Sequence, residues 1–307
     1  MYQTDAKQIV GISLLVAAMI LQIVCILLTR ILIKLEYGGY MAVMRTWLFL
    51  SSTMEHVFYI IFHVNYTYIK SGDEQPDTCI LMRFLMSFCS TFTTMWILTI
   101  AAFYLVMPIK PEKCLSSIVR FLTHCVALTW TFVSCLLYLV IAFRLKADNA
   151  LEYIHSCWND ISNTLHFYNC YGNEIIPFLV TAFILVNARF RISTHKRTMS
   201  SRMPEYHVNV TQLRRTINRY IVLIVFLFIY YIGLYIRFVF DKRGSDLVMM
   251  AMQCGRSVAI AVTVCLLDKD VLALIFRRPF STPMLLLHPN EIGLQSLSTE
   301  LTLVECT

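Results

Sequence analysis

Seven times along this chain a run of roughly 20 to 27 mostly apolar residues begins, continues almost unbroken, and ends at a short polar connection. The runs cover about 9–33, 41–64, 79–107, 117–143, 174–192, 220–240 and 246–267. A helix crosses ~30 Å of hydrocarbon with about 20 residues at 1.5 Å each, and satisfies its own backbone groups while doing so. The pattern therefore predicts an all-α membrane protein, a seven-transmembrane helix bundle. After the seventh run, Asp268-Lys-Asp-Val-Leu-Ala-Leu-Ile-Phe-Arg-Arg278 sets apolar residues at 271, 272, 274, 275 and 276 between charged ends, and Pro279 stops it. That spacing predicts a short amphipathic eighth helix along the inner surface. One domain, 1–278, is followed by a tail, 279–307.

Composition agrees with the pattern. Hydrophobic residues make up 58% and charged residues 15%, where soluble domains carry about 25% charged. A net charge of +7 would suggest nucleic acid for a soluble protein. Here its distribution matters instead, and no nucleic-acid partner is expected. With the N-terminus outside, 17 of the 26 Lys and Arg fall on the cytoplasmic side and 8 on the other, while Arg256 alone is placed at mid-span. This predicts a multi-pass plasma-membrane protein with an extracellular N-terminus and a cytoplasmic C-terminus. The first run is too long for a signal-peptide core and should act as an uncleaved anchor. Asn65-Tyr-Thr67 is a glycosylation sequon that this orientation places in the first outside loop, while Asn209-Val-Thr211 falls inside and should stay unused.

Most cysteines lie within the runs, as small hydrophobes. Cys79, at the outer head of the third run, and Cys157 and Cys170, in or beside the second outside loop, lie where an oxidising lumen permits a bridge. Cys157 is the better partner for Cys79, because Cys170 falls so near the fifth run. Cys306 is read as free or lipidated.

An outside N-terminus, seven spans, Cys79, a loop cysteine, Trp130 in Leu128-Thr-Trp130, Pro177 in Ile175-Ile-Pro-Phe178 and the short helix ending Phe276-Arg-Arg278 together resemble the rhodopsin-like G protein-coupled receptors. Cys157 precedes Pro177 by 20 residues, the family's usual spacing, so the resemblance implies a Cys79–Cys157 disulfide. Three family motifs are absent. Tyr104, within Phe103-Tyr-Leu105, stands where the family has the arginine of Asp-Arg-Tyr. The sixth run reads Phe226-Leu-Phe-Ile-Tyr-Tyr-Ile-Gly233 in place of Cys-Trp-x-Pro, and Ile260-Ala-Val-Thr-Val264 replaces Asn-Pro-x-x-Tyr. The bitter taste and vomeronasal type 1 branch lacks these motifs too. Trp96-Ile-Leu-Thr99 with Phe103-Tyr104, then Pro177-Phe178, His195, Met199 and Tyr230-Tyr231 are similar to that branch. A divergent orphan or virus-encoded receptor fits equally.

The resemblance implies an extracellular ligand held by Met86, Ser90, Tyr231, Tyr235, Met252 and Gln253. Tyr and Met in that lining suit a small, mostly apolar molecule. It implies a heterotrimeric G protein meeting Tyr104, Lys110, Lys113, Arg214 and Arg215, and a shift between two helix packings as the signal. The basic connection at 189–219 faces either that partner or anionic lipid. A non-signalling decoy or assembly subunit is the alternative, because Tyr104 replaces the arginine. A transporter would show repeats or broken helices.

A charge at mid-membrane costs roughly 2.5–3.5 kcal/mol and usually finds a partner inside the bundle. Glu55 lies about 13 Å below the outer end of the second run and Arg256 at a similar depth in the seventh. In the receptor architecture those helices are neighbours, which predicts a Glu55–Arg256 ion pair with Gln22 joining it. His56 and His63 have no partner at metal spacing, so neither metal nor cofactor is expected. No nucleophile and base stand together, and an enzyme is not expected.

Overall fold

A computed structural model describes residues 2–35, 39–68, 76–106, 117–147, 175–202, 210–240 and 246–276. They form α1 (Tyr2–Lys34), α2 (Gly39–Tyr68), α3 (Pro76–Val106), α4 (Ser117–Ala147), α5 (Ile176–Arg202), α6 (Val210–Phe240), α7 (Asp246–Ala261), a π-helical turn (Val262–Leu266) and α8 (Lys269–Ile275). Among the described residues there is no strand. The expected runs fall on α1 to α7, the seventh continuing through the π-helical turn and residues 107 and 174 lying outside the described residues, and the short eighth helix follows.

The helices outlast the apolar runs. α5 continues to Arg202 and α6 begins at Val210, so most of the expected connection 189–219 is helix. Apolarity is needed only within hydrocarbon. Beyond it, a helix persists on its own hydrogen bonds and on residues with fair propensity. For the same reason Asn65, expected in a loop, belongs to the last turn of α2. Cys157, Lys110, Lys113 and the tail 279–307 lie outside the described residues, as do the side chains of Asn65, Cys79 and Tyr235.

α1 packs on α2 and α7, α2 on α3, α3 on both α4 and α5, α5 on α6, and α6 on α7. The order closes a bundle with α3 toward its middle. Small residues set the close approaches. A side chain at Gly11 on α1 would collide with Met250 of α7. Hydroxyl pairs bridge neighbouring helices: Thr29 with Thr46 at 3.3 Å between α1 and α2, and Ser51 with Thr93 at 2.9 Å between α2 and α3. Rings join the outer helices to α3. Trp96 stacks on Trp47 at 6.4 Å and meets the edge of His124 on α4 at 4.9 Å.

The distribution of polarity is the reverse of a soluble protein's. Gln22, Arg45, Glu55, His56, Gln253, Arg256 and Asp268 are buried, together with many Ser and Thr. Phe121, Val133, Phe183, Phe190, Val222 and Ile229 are exposed. Large apolar patches facing outward from several helices need an apolar surrounding. Three helical stretches, Ile9–Lys34, Phe84–Leu105 and Leu213–Gly233, are long and apolar enough to cross a membrane, and Phe121–Leu137 and Met250–Leu266 are shorter apolar stretches. Trp130, expected to match the family's fourth-helix tryptophan, faces outward and is 46% exposed. Pro177 is buried at the start of α5.

Val225, exposed midway along α6, tests the apolar surrounding. Val225→Lys should cost about 2.5–3.5 kcal/mol on insertion and lower the yield of folded, detergent-extracted protein measured by size-exclusion chromatography. Val225→Leu should leave that yield unchanged.

Candidate functional site

Glu55 and Arg256 meet in the interior. Arg256 Nη1 lies 2.9 Å from Glu55 Oε1 and 3.3 Å from Oε2, and the two residues are 2% and 3% exposed. The same Nη1 donates to Ser90 Oγ at 2.9 Å, and Nη2 donates to the Ser90 carbonyl at 3.5 Å. Gln253 stands one turn from Arg256 on the same face of α7, the spacing at which helical side chains are neighbours. Its amide donates to Glu55 Oε1, and its carbonyl oxygen accepts from the Tyr230 hydroxyl at 2.6 Å. α2, α3, α6 and α7 are thereby joined through one neutral, hydrogen-bonded cluster.

Such a pair depends in the interior on further hydrogen bonds to its charged groups. Two charges taken out of water lose several kcal/mol each of hydration, and the geometry must return it. Ser90 and Gln253 supply the additional bonds here. Both were expected in the ligand lining and Tyr230 in no site at all, so the polar cluster and the expected lining overlap. Met86 and Tyr231 of that lining are buried, and Met252 is half-buried. Tyr231 meets Phe178 of α5 at 5.7 Å and Tyr230 at 5.2 Å, which places it at the α5–α6 seam.

Gln22 does not bond to Glu55 or Arg256 themselves. It donates to the carbonyl of Ser257, the next residue along α7, at 2.8 Å. Ser257 Oγ lies 3.4 Å from Ser52 Oγ, and His56 Nδ1 lies 2.6 Å from the Ser52 carbonyl. A carbonyl cannot donate, so His56 carries its proton on Nδ1. This second strand of polar contacts draws α1 onto α2 and α7 beside the ion pair.

A separate polar cluster lies toward the N-terminal end of α2. Arg45 Nη2 lies 2.9 Å from Asp268 Oδ2, joining α2 to the corner between the π-helical turn and α8. Tyr104, expected to meet a G protein, is buried within the bundle. It is 2% exposed, packs against Tyr220 of α6 at 5.4 Å, and is hydrogen-bonded to Arg45. The physical reason is that a tyrosine at this position gives an apolar ring to bury and one hydroxyl for the guanidinium. Arg214 and Arg215 are exposed. Arg189, by contrast, donates to Asn218 across the α5–α6 seam.

A cavity of about 510 Å³ lies between α1, α6 and α7, lined by Leu14, Phe226, Ala251, Cys254, Gly255 and Val258 among others. None of the residues expected to hold a ligand lines it. Among the described residues no three His, Cys, Asp or Glu stand close enough to hold a metal ion. No protein-family model matches the chain, and no curated protein matches it.

The ion pair yields a double-mutant test. Glu55→Ala or Arg256→Ala should each cost about 3–5 kcal/mol by stranding a buried charge, and the double substitution distinctly less than their sum. Thermal unfolding of the purified protein in detergent measures all three, and simple additivity would mean that the charges do not interact.

Proposed function

We propose that the chain is a receptor of the rhodopsin-like seven-helix type. It crosses the plasma membrane seven times with its N-terminus outside, senses a small and mostly apolar extracellular ligand, and passes a helix rearrangement to a cytoplasmic heterotrimeric G protein. The observation that carries this reading is the buried cluster at which Glu55 of α2, Ser90 of α3, Tyr230 of α6 and Arg256 of α7 converge. A ligand acts across a bundle only if it binds two packings unequally. A cluster shared by four helices makes their positions interdependent, so a displacement of one is felt by the other three. The packing order of the helices, with α3 toward the middle and apolar faces outward, supports the same reading.

The burial of Tyr104 favours a second reading, a non-signalling decoy or assembly subunit. The arginine that the family uses at that position is missing, and the inner end is closed by internal bonds. Sorting the two readings takes a cell experiment in two parts. Epitope tags at the termini should report opposite sides of the plasma membrane, with the N-terminal tag accessible on intact cells. Constitutive and ligand-screened G-protein activation should then exceed that of mock-transfected cells. A silent protein with confirmed surface expression, against every G-protein class, points to the decoy.

A further inference from the structure

We infer that Arg45 and Asp268 form a charge-paired latch that holds the inner end of the bundle shut. The latch itself depends on the fold alone, and its effect on signalling rests on the receptor reading above. Arg45 enters from the first turns of α2, and Asp268 sits where the chain turns from α7 into α8. The pair is 2.9 Å apart and buried. Its surroundings tie in the other inner helix ends. The Arg45 guanidinium also engages Tyr104 of α3, and Tyr104 packs on Tyr220 of α6. Arg219, the neighbour of Tyr220, donates to the carbonyl of Leu267 and to Thr216 Oγ1 at 3.0 Å. The Leu267 carbonyl belongs to the residue just before Asp268. α6 is thus fastened to the corner that Asp268 fastens to α2.

Local backbone geometry sets the corner. Leu267 N–H donates to the Val262 carbonyl at 2.9 Å, a five-residue step, and Asp268 N–H donates to the Cys265 carbonyl at 2.8 Å. One wide turn inserts a residue and rotates the chain beyond it by about 100°. Without it, residue 268 would leave the helix at a different angle from the one that meets Arg45. Opening α6 at the inner end therefore requires the Arg219–Leu267 bond to break or the whole corner to leave Arg45. Because one charge cannot be withdrawn from a buried pair without stranding the other, the latch has two states rather than a graded range.

Cys265 is a native reporter, fully buried and one turn before Asp268. Cys135, fully buried on α4, reports the rest of the fold. Purified protein in nanodiscs would be treated with a charged, lipid-insoluble maleimide, and labelling of each thiol followed by peptide mass spectrometry. Asp268→Asn should raise the labelling rate of Cys265 at least about tenfold, with Cys135 unchanged. The exchanged pair, Arg45→Asp with Asp268→Arg, should return Cys265 to within about threefold of the wild-type rate. An unchanged Cys265 in Asp268→Asn overturns the latch. If Asp268→Asn exposes Cys135 as well, the exchanged pair decides: protection of both thiols supports the latch, and continued labelling overturns it. Basal G-protein activation in cells should rise with Asp268→Asn. A Cys265 response with no change in signalling keeps the latch and counts against the receptor reading.

Discussion

The contact between the Arg256 guanidinium and the Glu55 carboxylate governs how this bundle can be assembled. Either charge alone in the interior is prohibitive, so α2 and α7 must approach at one depth and one rotation. Once they do, Gln253 and Ser90 are required in their turn, since the carboxylate and guanidinium have bonding capacity beyond one another. Dispersion and small-residue packing among Leu and Ile could accept several neighbouring registers at similar energy. The ion pair accepts one.

The Arg45–Asp268 pair repeats the constraint with the signs exchanged. α2 carries a base at Arg45 and an acid at Glu55, and the α7 segment carries a base at Arg256 and an acid at Asp268. The two positions on α2 are about 15 Å apart along the axis, from ten residues at 1.5 Å each. Twelve residues separate Arg256 from Asp268, which in an unbroken α-helix would span about 18 Å. The π-helical turn at Val262–Leu266 takes up one residue without the full rise and narrows the difference between the two spacings. Sliding α7 by one turn would break both pairs and set Arg256 moving toward Arg45. Two crossed pairs of opposite polarity thus fix register and direction together, in the way charged and polar core positions do in coiled coils.

What could be read from the sequence divides along the same physical line. Long apolar runs declare themselves within a single segment, so the helices, the short α8 and the depth of Glu55 and Arg256 were all legible. The ends of α5 and α6 were not, because an apolar run marks the thickness of hydrocarbon and carries no information on where a helix stops in water. Arg45 looked like one more positive charge near the inner surface, and Asp268 like the start of an amphipathic helix. Their meeting depends on the wide turn at Val262–Leu266, which no residue type announces. A signal was nevertheless present: Arg45 lies several residues inside its apolar run, deeper than a positively charged flank requires.

Tyr104 is accounted for by the residues that surround it. In the fold, the guanidinium beside Tyr104 comes from Arg45 of α2, and the Tyr104 ring rests on Tyr220. An arginine at 104 would set two cations against Asp268 alone, a repulsion that a buried site with one acid cannot offset. Arg45 and Tyr104 therefore make sense only together. The cation of this cluster stands on α2, and its acid stands at the corner between α7 and α8.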